Sequence, residues 1–192
     1  YQGTDMRTGS ALEIYRSGVG RCGEEAVFVV NVMRSAGIPA RPVYVPRWSH
    51  CDDNHAWVEV WCDGDWHYLG ACEPEAVLDK GWFTNAASRA MMIGSRWYDR
   101  AMPDEKVIGK DGMNRIINLL GKYAKTRWIT ITVEDLDGTP AAGAKVRAEV
   151  MNYGEFSPIA IMEADKNGCI SFETGFGSLL ICAVYDGAYG EK

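Results

Sequence analysis

The amino-acid sequence predicts an α+β protein whose C-terminal end is a small all-β sandwich. The chain has 192 residues, of which 47% are hydrophobic, which is long enough for one ordinary domain or for two small ones. Helical and strand patterns alternate up to about residue 125, whereas from Thr126 onward only short alternating runs separated by turn residues occur. We therefore predict one domain over residues 1–125 and a second over residues 126–192.

Two helices are expected near the start of the chain. The first is Thr8–Arg16, with Thr8 or Ser10 as its N-cap. The second is Glu24–Ala36, which ends at the Gly-Ile-Pro sequence of residues 37–39. This second helix has almost no polar stripe, so we expect a central buried helix that runs through the core and packs on an antiparallel sheet.

The sheet is predicted from the segments that follow. Arg41–Trp48 is an extended run, and Ala56–Cys62 and Asp65–Cys72 form a hairpin around Asp63-Gly64, a strong short-range hairpin signal. Two further helices are expected at Thr84–Tyr98 and Gly112–Tyr123. In the second domain, alternating runs predict strands at Trp128–Val133, Ala144–Met151, Ile159–Met162, Cys169–Glu173 and Ser178–Tyr185.

Composition argues against two classes of partner. The chain has 20 basic and 26 acidic residues, a formal net charge of −6 and no basic run, so we predict no nucleic-acid partner. No stretch approaches the roughly 18 apolar residues that a membrane span needs, so we predict no span. The chain starts at Tyr1 without a basic segment or an apolar signal region, so we expect any targeting segment to have been removed or to lie upstream.

Cys22 is the first candidate for chemistry. It stands just ahead of the predicted second helix, where backbone N–H groups and the positive end of the helix dipole favour a thiolate. Glycines at positions 18, 20 and 23 allow close approach of a substrate, and amides such as that of Gly23 are available to hold an oxyanion. The alternative is that Cys22 is a small buried apolar residue.

His55 is the candidate base for this thiol. It lies at the mouth of the predicted hairpin, on the strand face that it shares with Trp57 and not on the apolar face. A cleft is plausible on this mixed aromatic and polar face. A neutral imidazole there could take the proton of Cys22.

A thiol and a base usually need a third group that holds the imidazole tautomer. A two-residue turn puts Gly70 opposite Trp57 and Cys72 opposite His55, and neither can act as a carboxylate would. Glu73 is the nearest acid, but it reaches the right face only if a bulge near Gly70 shifts the register by one. Weaker candidates for this role are Asp52, Asp53 and Glu59.

The stretch GRCGEEAVFVVNVMRSAGIPARPVYV, followed by HAWVEVWCDGDWHYL, resembles the transglutaminase-like superfamily. This papain-related group includes eukaryotic transglutaminases, peptide N-glycanases and many microbial members thought to be proteases. The resemblance covers roughly residues 10–75 and implies that Cys22 is the nucleophile and His55 the base. In the family an aspartate at the end of the strand after the Asp-Gly turn is usually the third member, and here that position is Gly70. Either Glu73 has taken over this role, or water or a backbone carbonyl orients the imidazole, or the site is inactive.

The resemblance also suggests a role for a tryptophan. In this family a tryptophan can help to polarise the scissile carbonyl, and Trp48 is our candidate because it ends the strand that leads into the loop before His55. The alternative is a packing residue at the edge of a loop.

A metal site is the competing interpretation of the same region. The residues that would form it are His50, Cys51, Asp52, His55, Cys62, His67 and Cys72, but their spacing fits no common zinc pattern. We therefore predict no metal and no cofactor. A disulfide between Cys51 and Cys72 is left open.

The segment Trp128–Gly187 resembles, more weakly, the carboxypeptidase regulatory-like or transthyretin-like β-sandwiches. Such sandwiches are often accessory domains of secreted or surface proteins. The resemblance implies an extracytoplasmic protein, whether secreted, periplasmic or surface-anchored, whose partners include other domains of a longer chain.

Two functions follow from these residues. The first is thiol-dependent hydrolysis, or acyl transfer, at amide bonds of a peptide or protein substrate, glycosylated or not, with Cys22, His55 and Glu73 as the catalytic residues. Hydrolysis is preferred because nothing in the sequence identifies an amine site. The second is a catalytically inactive module of the same fold that binds peptide or glycan, which Gly70 at the usual aspartate position favours.

Overall fold

The computed structural model of the chain describes residues 9–71, 73–98 and 106–192. Across these residues it contains a few helices and many antiparallel strands in several sheets, which agrees with the predicted α+β class. Within the same residues, no helix is both long enough and apolar enough to cross a membrane.

The chain divides into two compact units that are interleaved in sequence. The first unit consists of Tyr1–Tyr44 and Asn54–Asn85, and the second consists of Val45–Asp53 and Ala86–Lys192. The predicted domains follow a change of sequence pattern near residue 125, and that division stays a prediction.

The first unit begins with helix α1, Ala11–Ser17. Its N-cap is Ser10, whose hydroxyl accepts a hydrogen bond from the Glu13 N–H at 3.3 Å, while the Glu13 carboxylate accepts one from the Ser10 N–H at 2.7 Å. Gly18 ends the helix in the left-handed region, at φ 68°. Of the two predicted caps, Ser10 is confirmed, and Thr8 lies outside the described residues.

Helix α2, Cys22–Ser35, packs on one face of strand β2, His55–Cys62. Ala26 and Val30 of the helix belong to one buried cluster with Val58 of the strand. These helical positions are four residues apart and therefore lie on one face of the helix. The packing of small and β-branched side chains brings the helix close to the sheet.

The prediction that this helix runs through the core is wrong. Val32 is 47% exposed, and Val27 and Asn31 are also exposed. The physical reason is that α2 is covered by the sheet on one side, so its other face meets solvent in spite of its apolar composition. Apolar composition alone does not specify what covers the second face of a helix.

The predicted hairpin is confirmed. Strand β3, Asp65–Leu69, pairs with β2 antiparallel, and β1, Ala40–Val45, flanks β2 on its other edge. The turn residues Asp63 and Gly64 have φ values of 51° and 86°, as a two-residue type I′ turn requires. The hairpin therefore forms from its own local turn chemistry.

The register of this hairpin is also as predicted. Cys62 pairs with Asp65, and the pairing runs back to Val58 opposite Leu69, where β3 ends. Because the register holds without a shift, His55, Trp57 and Glu59 occupy one face of β2, and Ala56, Val58 and Val60 the other.

Two predicted helices are wrong. Within Thr84–Tyr98 only Thr84–Ala87 is helical (α3), and Gly94–Tyr98 is strand β4. Within Gly112–Tyr123 the structure has strand β6, Asn114–Asn118, and a short 3-10 helix at Leu120–Lys122.

The reason for the second error is an overlooked turn. Gly112 and Met113 form the two-residue loop that joins strand β5, Val107–Asp111, to β6, and Gly112 has φ 59°. A glycine at the first loop position, before a run with adjacent isoleucines, predicts a turn and a strand more strongly than a helix.

The second unit continues with six strands, of which the first five overlap the predicted positions and the last, Ala188–Glu191, was not predicted. They are β7 (Arg127–Thr132), β8 (Lys145–Asn152), β9 (Glu155–Glu163), β10 (Cys169–Thr174), β11 (Leu180–Tyr185) and β12 (Ala188–Glu191). Strand β7 pairs with β10, and the others form a sheet in the order β12-β11-β8-β9. A large buried cluster that includes Val146, Met162 and Phe172 lies among them. The resemblance of this region to particular β-sandwich families stays a prediction.

Candidate active site

Cys22 is the first residue of α2 rather than a residue just ahead of it, which corrects the predicted helix start. The N-cap is Arg21, which is extended at φ −88° and ψ 170°. Cys22 is half-buried, and none of the five described cysteines forms a disulfide with another. The backbone N–H groups of the first turn and the helix dipole are oriented toward this end of the helix.

One of the two acidic residues in the first turn, Glu24, is paired locally. The Glu24 carboxylate accepts a hydrogen bond from the Arg21 N–H at 2.8 Å and another from the Arg21 guanidinium at 3.1 Å. This ion pair balances a negative charge that would otherwise oppose a thiolate at Cys22. The pattern of an arginine and a glutamate on either side of the cysteine is therefore part of the helix start.

Gly23 lies in the first turn with open space above it. Apart from its chain neighbours and the backbone of its own helix, no heavy atom of the described residues lies within 4 Å of the position that a Cβ would take. Gly20, by contrast, would place a Cβ 3.3 Å from the Cβ of Glu24, which is a tight contact. Of the two, Gly23 is the one whose backbone a ligand can approach.

His55 begins β2 and is surrounded by aromatic rings. Its side chain is 6% exposed, and its ring centroid lies 4.5 Å from that of Trp82, 4.9 Å from that of Phe83 and 5.8 Å from that of Trp57. Phe83 also stacks on Trp57 at 4.7 Å. The imidazole is therefore held in an aromatic pocket, with Trp57 and Phe83 as its buried part.

Trp82 forms the outer wall of this pocket. It is 62% exposed, whereas Phe83 and Trp57 are fully buried. The indole Nε1–H of Trp82 donates a hydrogen bond to Oε1 of Glu73 at 3.1 Å. The carboxylate that we predicted as the third catalytic member thus contacts Trp82, and Trp82 contacts His55.

Gly70, at the usual aspartate position, is built into a tight turn. A Cβ on Gly70 would lie 2.7 Å from the backbone carbonyl oxygen of Glu73, a distance that real Cβ atoms essentially never show. The Glu73 carbonyl therefore occupies the space that a side chain at position 70 would need. An aspartate there would require the turn to move.

The loop that carries Trp82 is fastened to strand β3. The Asp79 carboxylate accepts hydrogen bonds from the Tyr68 N–H at 3.0 Å and contacts Nδ1 of His67 at 2.6 Å, and the Asp79 N–H donates to the Tyr68 carbonyl at 2.9 Å. The hydrogen bond with Asp79 raises the pKa of His67 above its usual value of 6.5. The loop is held at Asp79 by three contacts.

A second fastening lies just after Trp82. The Thr84 hydroxyl accepts a hydrogen bond from the Gly81 N–H at 3.0 Å and lies 3.0 Å from the Tyr68 hydroxyl. A Cβ at Gly81 would lie 2.6 Å from the Phe83 ring, so only glycine lets the chain turn here with the ring folded back.

Two of the weaker candidates for the third catalytic member, Glu59 and Asp52, contact other residues. Oε2 of Glu59 lies 2.5 Å from Nε of Arg41 in a buried ion pair. Oδ1 of Asp52 accepts a hydrogen bond from the Tyr153 N–H at 2.7 Å. These contacts give each carboxylate a structural role.

Trp48 belongs to the second unit, in a loop that one side chain holds together. The Nδ2 group of Asn152 donates to the carbonyl oxygens of Trp48 at 2.9 Å, Cys51 at 2.9 Å and Asp53 at 3.3 Å. The Trp48 ring is buried and contacts the His50 ring at 5.4 Å. The proposed role of Trp48 in polarising a substrate carbonyl stays a prediction, and the Cys72 half of the disulfide question lies outside the described residues.

The sequence analysis did not single out Trp82, Phe83, Arg41 or Asn152. A sequence pattern could have indicated two of the features, the aromatic pair Trp82-Phe83 and the ion pair of Arg41. Trp82 and Phe83 form an aromatic pair directly after Gly81, which is typical of a sharp turn that buries a ring. Arg41 and Glu59 are opposite charges in two otherwise apolar strands, which is typical of a buried ion pair. No local pattern predicts the contacts of Asn152, because its partners are about 100 residues away in sequence.

Comparison with known families agrees with the local motif. Residues 1–71 match the model of the transglutaminase-like superfamily. The matched segment includes Cys22 and His55 and ends one residue after Gly70. No curated protein matches the chain. The match suggests a class of activity, cysteine-protease or acyl-transfer chemistry, for the segment that contains the candidate residues.

Proposed function

We propose that the protein is a thiol-dependent enzyme that hydrolyses amide bonds of a peptide or protein substrate. The observation that carries the proposal is Cys22 at the first position of a 14-residue helix, within the segment that matches the transglutaminase-like superfamily. A helix start supplies N–H donors and a positive dipole end, which favour a thiolate and a developing oxyanion. His55, in its aromatic pocket in the same segment, is the proposed base.

The proposed reaction has two steps. His55 takes the proton of Cys22, and the thiolate attacks the carbonyl carbon of the amide, with the N–H groups of Cys22 and Gly23 as oxyanion donors. The imidazolium returns the proton to the leaving amine as the C–N bond breaks, which leaves a thioester on Cys22. Water, deprotonated by His55, then attacks the thioester and releases a carboxylic acid and the thiol.

Alkylation of Cys22 as a function of pH tests the proposal. The rate of iodoacetamide labelling at Cys22, followed by peptide mapping, should remain high well below pH about 8.5, the ordinary value for cysteine. Cys51 is an internal comparison, because burial and the nearby Asp53 raise the pKa of this exposed thiol. His55→Ala should bring the Cys22 profile close to that of an ordinary thiol. A wild-type profile for Cys22 with a midpoint near about 8.5 would contradict the proposal.

Activity is then tested on the same variants. A mixture of unstructured peptides should be cleaved by the wild-type chain and by Cys62→Ala, which removes another half-buried thiol, but not by Cys22→Ala. A thioester adduct on Cys22, trapped by rapid acid quenching and detected by mass spectrometry, would identify the intermediate.

The second candidate function is a binding module without turnover. The turn at Gly70, which leaves no room for a side chain, is the observation that favours it. In that case Cys22 labels like an ordinary thiol and no peptide is cleaved, yet peptide or glycan binding quenches the fluorescence of the exposed Trp82.

A further inference from the structure

The imidazole of His55 lies against aromatic rings of the segment that follows β3. Trp82 lies nearest, with ring centroids 4.5 Å apart and ring planes inclined at 51°, and Phe83 follows at 4.9 Å and 55°. Both centroid distances are within the range in which an aromatic ring attracts a cation. The wall can therefore restrict rotation of the imidazole and favour the imidazolium that forms when Cys22 loses its proton.

The exposed half of this wall is held in place by hydrogen bonds. A tryptophan that is 62% exposed would ordinarily sample several rotamers. Here its indole N–H is bound to the Glu73 carboxylate, and its backbone neighbours are fastened to β3 through Asp79 and Thr84. The position of the indole over the imidazole is thus set before any substrate arrives.

The turn at Gly70 links this arrangement to the missing aspartate. The backbone carbonyl of Glu73 occupies the space that a side chain at position 70 would need. The carboxylate of Glu73 accepts the hydrogen bond of the Trp82 indole. The backbone of Glu73 thus occupies the space at position 70, and its side chain holds the indole.

We propose that Trp82 is a positioning residue for the His55 imidazole, and that the Glu73 carboxylate acts on the site through the Trp82 indole. The inference rests on the proposed function and replaces the direct role that the sequence suggested for Glu73. It concerns proton transfer from the Cys22 thiol to the imidazole, which needs no other reactant. Glu73 and Trp82 touch neither the thiol nor the substrate in this scheme.

The Trp82 variants test the aromatic contact. Trp82→Phe keeps a ring beside His55, whereas Trp82→Leu keeps apolar bulk without one. The alkylation rate of Cys22 by iodoacetamide at pH about 6 should fall on the order of tenfold in Trp82→Leu and by much less in Trp82→Phe. Because Trp82 is largely exposed, both variants should keep the urea midpoint of the wild type, and that measurement shows that the chain is folded.

The Glu73 variants separate an indirect role from a direct one. Glu73→Gln keeps an oxygen that accepts the indole hydrogen bond but removes the charge, and Glu73→Ala removes both. If Glu73 acts through the indole, the glutamine variant should label at close to the wild-type rate, and the alanine variant should lose about threefold to tenfold. If the carboxylate acts on His55 directly, the glutamine variant should lose as much as the alanine variant, and the proposal is overturned.

The wild-type chain and His55→Ala distinguish failure of this inference from failure of the proposed function. If the wild-type Cys22 labels like an ordinary thiol, both the proposed function and this inference are contradicted. If the wild-type Cys22 labels rapidly at low pH in a His55-dependent manner and Trp82→Leu labels at the same rate, the proposed function stands and this inference alone is overturned. The full result expected is a His55-dependent rate that falls in Trp82→Leu and Glu73→Ala and is kept in Trp82→Phe and Glu73→Gln.

Discussion

Replacing Glu59 by glutamine is expected to lower the free energy of unfolding by about 3–5 kcal/mol, because the change removes the negative charge that faces a buried guanidinium. Arg41 is 3% exposed and Glu59 1% exposed, and 2.5 Å separates Nε of Arg41 from Oε2 of Glu59. The guanidinium carbon also lies 4.2 Å from the ring centroid of Trp66, so the cation cannot reach water without uncovering that ring. The expected loss is a large part of a typical total stability of about 5–15 kcal/mol.

The assay is urea unfolding followed by tryptophan fluorescence, with the slope of the transition compared between variants. The matched control is the double variant Arg41→Met with Glu59→Leu, which replaces the ion pair by apolar side chains of similar size. It should unfold within about 2 kcal/mol of the wild type or be more stable, because no buried charge is left behind. A loss below about 1 kcal/mol in Glu59→Gln, or an equal loss in the double variant, would refute the reasoning.

Two further predictions concern the same unit. Gly70→Ala should destabilise the chain by about 1–3 kcal/mol in urea unfolding, because its Cβ would lie 2.7 Å from the backbone carbonyl oxygen of Glu73. Gly23→Ala, with open space above it, should change the free energy of unfolding by less than about 1 kcal/mol. Equal effects of the two substitutions would contradict this. The hydrogen bond with Asp79 raises the pKa of His67 above 6.5. This contact therefore stabilises the loop fully below pH about 6.5, and its contribution to stability is lost as the pH rises through the raised pKa. An NMR titration of the His67 ring should therefore have its midpoint above pH about 6.5. The variant Asp79→Asn, which keeps the left-handed turn, should return this midpoint toward the ordinary value for histidine. An unchanged midpoint in the variant would argue against the contact between His67 and Asp79.

The fastening of the loop explains why an exposed tryptophan can have a defined position. Asp79 has φ 59° and binds β3 through both its backbone and its side chain. Hydrogen bonds to β3 at Asp79 and Thr84 leave only a few residues between them, so Trp82 has little freedom. In the scheme proposed here, the loop holds the Trp82 ring against the imidazole of His55.

Local sequence determined the elements that depend on neighbouring residues. The capping box at Ser10, the type I′ turn at Asp63-Gly64 and the register of β2 with β3 were all predictable, because hydrogen bonds within a few residues specify each of them. The sequence also singled out Cys22 and His55 as candidates, and the structure places each at the start of an element, α2 and β2.

Tertiary structure decided which groups these residues meet. The α2 face that bears Val32 is exposed, and Glu59 pairs with Arg41. Both features depend on residues that are remote in sequence, and local sequence patterns do not predict such contacts. The Glu73 contact is of the same kind, because a carboxylate can accept from any donor within reach, and the folded chain places the Trp82 indole there. The sequence determines which chemical groups are present and which local backbone conformations are preferred. The folded chain determines the contact partner of each group, because contacts depend on which side chains are neighbours in the tertiary structure.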